Sequence, residues 1–102
     1  MHWRLKKIPR IQKKYKDMRW RRLRLTALQR DKYLCTECKR YGRTTPATMV
    51  HHINPSDASR FLDLANLTSL CDACHNGMHN RMNGHLSAAG TALLRRTERH
   101  IN

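Results

Sequence analysis

"MVHHINP", residues 49–55, sets two imidazoles side by side in a segment that otherwise reads as a short β-strand. Thr48, Val50 and Ile53 favour extended backbone, which predicts a strand within 47–53. Asn54-Pro55 ends it, because proline cannot donate to a ladder. Strand neighbours point to opposite faces, so His51 and His52 face apart on a regular strand. For both rings to serve one site, the strand needs a bulge or a sharp twist at its end. A lone strand histidine is more often an ordinary structural residue, so the pair has to be weighed with its surroundings.

Two Cys-x-x-Cys pairs, Cys35/Cys38 and Cys71/Cys74, bracket this stretch and stand 32 residues apart. Each such turn presents two sulfurs to one point, and zinc takes four soft ligands in a tetrahedron. The opening "MHWRLKKIPR" is basic and is not followed by the apolar stretch of an export signal. The thiols are therefore expected to stay reduced, in a cytoplasm, which favours zinc over disulfides or a redox pair. Four thiolates leave no open coordination position, so such an ion is structural. Closing a long loop with it restricts the unfolded chain and offsets the thin core of a 102-residue domain.

Further polar groups follow His52. "LTSL", residues 67–70, predicts the partner strand, and Asp72 opens a helix carrying "ACHNGMHNRM" to about Asn83-Gly84. Gly77 inside it costs about 1 kcal/mol relative to alanine, so its ligands must hold it. His75 and His79 are four apart and share one face of that helix. If strand and helix pack together, His51, His75 and His79 converge on a transition-metal or Mg-like ion with positions left for water or phosphate. His52 stays off the ion, free to take a proton from water. Asn66 can hydrogen-bond an imidazole and fix its tautomer without adding charge. The plainer alternative makes His75 only a partner of the zinc ligand beside it.

The formal net charge is +14 and the pI near 10.7, which calls for a polyanionic partner. Nucleic acid comes first and an anionic membrane second; a basic packaging protein would need nothing but the charge. No apolar run is long enough to span a bilayer. Residues 1–35 carry thirteen of the 21 Lys and Arg against only Asp17 and Asp31. Within them, 1–16 reads as a basic arm that orders on a polyanion, or else packs through Trp3 and Ile8 or Ile11. From Asp17, a plausible N-cap, a helix runs to Asp31 with Trp20, Leu23, Ala27 and Leu28 on one stripe. Lys13, Lys14, Arg19, Arg21, Arg22 and Arg24 are the candidate phosphate contacts, although a solvated face is the commoner fate of such charges. The chain thus divides into an arm (1–16), a zinc-closed domain (17–83) and a tail (84–102). The tail can form a helix through Leu86, Leu93 and Leu94, which Gly90 weakens.

"VHHI", then "DLANLTSLC", then "CHNGMH" together resemble the His-Asn-His motif of the HNH endonucleases, the ββα-metal or His-Me finger family. The bracketing Cys-x-x-Cys pairs and "WRRLRLTALQRDKYLC" are similar to its zinc-stapled phage and prophage branch. The resemblance covers about residues 18–81. It implies an α+β fold: a small ββα-metal domain with a four-cysteine structural zinc, preceded by the basic arm and helix. It also implies His52 as general base, Asn66 as the central Asn, and His75 as the final motif histidine and a metal ligand. His51 matches the first metal ligand, an Asp in many relatives. With His79 the set looks like the colicin-type nucleases, where three histidines hold the ion. In other branches the counterpart of Asn66 ligates instead, so Asn66 and His79 stand as alternatives.

The implied activity is metal-dependent hydrolysis of double-stranded DNA with weak sequence preference, leaving 5′-phosphate and 3′-hydroxyl ends. The implied catalytic ion is Mg2+ or Mn2+, with Ni2+ or Zn2+ open to a His-rich site. A phage terminase is an implied partner, a monomer the expected state, and the host cytoplasm the expected place. The alternative is a zinc-stapled DNA-binding module without chemistry, which has no use for His52 or Asn66.

Overall fold

The structure, a computed structural model, describes residues 17–80, 82 and 85–101, with the side chains of 100 and 101 left aside. The basic arm, with Lys13 and Lys14, lies outside the described residues. Helix α1 (Met18–Arg30) starts as the sequence predicts: the Asp17 carboxylate accepts the Arg19 N–H at 2.8 Å. Trp20, Ala27 and Leu28 are buried on its inner face and Leu23 packs beside them. The helix closes in a Schellman turn, Tyr33 N–H reaching the Leu28 carbonyl and Lys32 N–H that of Gln29. Lys32 and Tyr33 hold φ of 56° and 59° there, left-handed backbone more usual for glycine. A second Schellman turn ends the short helix α2 (Thr36–Arg40), with Gly42 at φ 79° and Arg43 N–H on the Cys38 carbonyl.

Strands β1 (Met49–His52) and β2 (Leu67–Leu70) pair antiparallel, with His51 opposite Thr68 and His52 opposite Leu67. Facing pairs share a side of the sheet. One side, with Ile53 and Leu70, packs on Cys35, Cys38, Met78 and Leu93. The other, with Val50 and Leu67, packs on Trp20 and Ala27 of α1. The small sheet is thus the wall between two cores.

The outer edge of β2 is closed by side chains rather than by a third strand. Arg30 donates to the Leu67 carbonyl at 2.7 Å and to that of Leu64 at 3.1 Å. The Asp31 carboxylate takes the Ser69 N–H at 3.0 Å, and the Thr36 hydroxyl donates to the Ser69 carbonyl at 3.2 Å. Backbone groups that would otherwise invite another chain are thereby occupied.

Helix α3 (Asp72–Gly77) is shorter than the sequence predicts, so His79 lies beyond it. Gly77 weakens the last turn. Ser87 then takes both carbonyls at the helix end, its hydroxyl on Gly77 at 2.5 Å and its N–H on Met78 at 2.9 Å. His79 enters an antiparallel bridge with Leu86 instead.

The tail does form a helix, α4 (Ala88–Ile101), capped by the Ser87 hydroxyl on the Gly90 N–H. Gly90 serves close approach: a β-carbon there would run into the Met78 carbonyl and the Leu86 side chain. Leu93 is buried against the cysteines, and Arg96 pairs with the nearly buried Glu37 at 2.7 Å. Among the described residues no helix is long and apolar enough to cross a membrane.

Candidate metal centres and the histidine strand

The four cysteines come together as the spacing predicts. The Cys38 sulfur lies 3.9 Å from that of Cys71 and 3.7 Å from that of Cys74. A tetrahedron with zinc–sulfur bonds of about 2.3 Å has edges of about 3.8 Å, so the cluster fits zinc. Hydrogen bonding with Thr45 brings the Cys38 thiol down to about 7, while burial pushes the Cys74 thiol up. With the Cys74 thiol raised in this way the cluster does not become a full set of thiolates unaided; a dication at its centre would make that possible.

A second cluster forms on the same side of the sheet. The rings of His51, His75 and His79 stand edge-on to one another, with centroids 5.5 Å (51–75), 5.2 Å (51–79) and 5.5 Å (75–79) apart. Their ligating nitrogens lie within 4.8 Å of one another. His51 is 1% exposed, and its Nε2 has no hydrogen-bond partner among the described residues. An unpaired buried polar nitrogen costs about 1–3 kcal/mol, and a cation in that place would remove the penalty. Burial lowers the His51 pKa to about 3, with His79, His75 and His52 adding to the effect. His75 is lowered too, by burial and then by His79. Imidazoles whose ring nitrogens converge in this way are suitable donors for a divalent transition metal. The three-imidazole set therefore fits a cation, and it differs from the saturated cysteine cluster in leaving positions for other ligands.

The strand keeps strict alternation through His52, and the ladder goes on with Ile53 N–H bonded to the Asn66 carbonyl at 2.8 Å. No bulge, which the sequence reading offered as one route, interrupts this register. His51 instead points to the α3 side and His52 to the α1 side. The His52 Nε2–H donates to the Phe61 carbonyl at 3.1 Å, which leaves the lone pair on Nδ1. Burial lowers the His52 pKa against the opposing effect of that bond, so the ring is a neutral base at physiological pH. Trp20 and Phe61 lie against its ring.

Asn66 is where the structure departs most from the sequence reading. Its amide touches backbone, not an imidazole: Oδ1 accepts the Asn54 N–H at 2.8 Å, and Nδ2 donates to the carbonyls of Asn54 and Arg60, both at 3.2 Å. The side chain copies a peptide unit and extends the ladder one residue past the strand. It closes the 54–66 loop, while His51, His75 and His79 make up the histidine cluster. Tautomer control of His52 falls to the Phe61 carbonyl, a backbone atom that no side-chain pattern announces.

The arginines of α1 divide by use. Arg19 is bound to Asp17 at 2.9 Å, Arg24 reaches the Thr48 carbonyl at 3.5 Å, and Arg21 and Arg22 are exposed. Trp20, read from the sequence only as core, proves to touch the candidate base.

Residues 35–81 match the sequence profile of the HNH endonuclease family. Among solved structures, the chain is similar to the HNH endonuclease of the deep-sea thermophilic bacteriophage GVE2, crystallised with a manganese ion. The two share 47% identity and a TM-score of 0.60 over 61% of this chain and 70% of that one. Comparison with curated proteins gives no match.

Proposed function

The chain belongs to the HNH endonuclease family, and from that premise we propose that it is a divalent-metal-dependent hydrolase of phosphodiester bonds in double-stranded DNA, with weak sequence preference. The observation that carries this reading is the trio His51, His75 and His79 with its orphaned buried nitrogen, set one residue from a neutral imidazole. A divalent cation held by those three residues would supply Lewis-acid stabilisation of the charge on the phosphoryl oxygens and the departing 3′-oxygen. Mn2+ or Mg2+ is the proposed catalytic ion, Ni2+ and Zn2+ remaining compatible with imidazole donors, and Zn2+ is proposed for the cysteines.

His52 accepts, at Nδ1, the proton of the water that attacks phosphorus. Its own Nε2–H stays on the Phe61 carbonyl, so the ring is held for that single exchange. Asn66 keeps the loop that carries this carbonyl in place. Arg21 and Arg22, with Lys13 and Lys14 of the arm, are proposed to grip phosphates without reading bases, a mode that weakens steeply with salt. One such centre cuts one strand, so a monomer nicks. A place beside a phage terminase in DNA packaging, in the host cytoplasm, belongs to the same proposal.

Supercoiled plasmid incubated with the zinc-loaded protein tests the reading. Nicked circles are expected on addition of Mn2+ or Mg2+ and not in their absence. Plasmid that is bound but stays intact with every divalent ion would favour the DNA-binding module instead.

A further inference from the structure

We infer that Trp20 is a positioning residue for DNA cleavage: with Phe61 it forms an aromatic platform that sets the ring plane of His52. The inference rests on the nuclease reading above and adds helix α1, which lies outside the matched residues 35–81, to the catalytic apparatus.

The three rings form a nearly equilateral cluster. Trp20 lies 5.0 Å from His52 at an interplanar angle of 18°, Phe61 lies 4.5 Å from His52 at 25°, and Trp20 and Phe61 are 5.2 Å apart at 41°. With such similar separations the imidazole rests against both rings rather than between them. Rotation of a histidine ring about its last side-chain torsion is otherwise soft. Two near-parallel neighbours narrow that rotation, and the Nε2–H bond to the Phe61 carbonyl fixes which edge faces inward. The direction of the Nδ1 lone pair is then set by the platform and the carbonyl together. Trp20 is 5% exposed and anchored among Ala27 and Leu67, so the platform belongs to the rigid core. Filling that core needs only apolar volume; holding a ring plane needs a flat neighbour.

The contrast between Trp20→Leu and Trp20→Phe separates these two roles. Steady-state plasmid cleavage with Mn2+, on zinc-loaded full chain, is expected to show kcat of Trp20→Leu reduced about 10- to 100-fold with KM within about twofold, the scale at which small misplacements act. Trp20→Phe is expected to recover most of that loss. Unchanged kcat in Trp20→Leu, or equal losses in both variants, would overturn the assignment. If Trp20→Leu fails to retain zinc and helical signal, Phe61→Leu takes its place, and wild-type kcat there overturns it as well. Failure of the nuclease reading looks different, because the unmodified protein would then show no metal-dependent turnover at all.

Discussion

His52→Ala is expected to lower the Mn2+-dependent nicking rate by about 10²- to 10⁴-fold, the contribution of a well-placed general base. DNA affinity and zinc content are expected to stay at the level of the unmodified protein. The reason is that His52 belongs to the α1 side of the sheet and is a member of neither the cysteine cluster nor the three-histidine cluster. Losing its ring removes a proton acceptor without removing a metal ligand. Quantifying supercoiled and nicked plasmid over time checks this, with bound zinc measured on the same preparation. Nicking at the wild-type rate would move the base elsewhere, and the neighbouring trio could not replace it while holding a cation.

Stripping the zinc is expected to unfold the domain. Structural zinc in small domains contributes about 10–16 kcal/mol, against a total stability of about 5–15 kcal/mol for ordinary domains, so little is left once it is gone. The packing points the same way, since Cys35 and Cys38 sit in one cluster with Ile53, Leu70, Met78 and Leu93. Their loss of order would free α4 and both flanks of the sheet's inner side. Far-ultraviolet circular dichroism during chelation, with released zinc counted in parallel, measures the coupling. A domain that keeps its helical signal after its zinc has left would contradict it. Cys38→Ser should behave like partial stripping, because it removes the sulfur that contacts those of both Cys71 and Cys74.

Much of this molecule is legible in its sequence because short-range chemistry decides it. The α1 cap at Asp17, its buried stripe and β2 at residues 67–70 follow from local pattern alone. The cysteine cluster follows from ligand spacing, whereas His79 joins His51 and His75 from beyond the end of α3, through its bridge with Leu86.

Long-range backbone contacts decide the remainder, and residue types do not encode them. Helix α3 stops at Gly77 because Ser87, ten residues on, takes its last carbonyls. Gly90 looks like a helix weakness until the Met78 carbonyl is seen against it. Asn66 has the right residue type for an imidazole partner yet spends its amide on the backbone of Asn54 and Arg60. The adjacent histidines show no bulge between them, because alternation itself sends one to the histidine cluster and the other to the aromatic platform.

The most direct test of the central claim is manganese binding to the zinc-loaded protein, read by pulsed electron paramagnetic resonance for coupling to imidazole nitrogen. One Mn2+ per chain with such coupling is the predicted result, and His51→Ala should abolish it while the zinc remains. Manganese that binds equally well without the His51 ring, or that shows no nitrogen coupling in the unmodified protein, would contradict the claim that these three histidines form one metal centre.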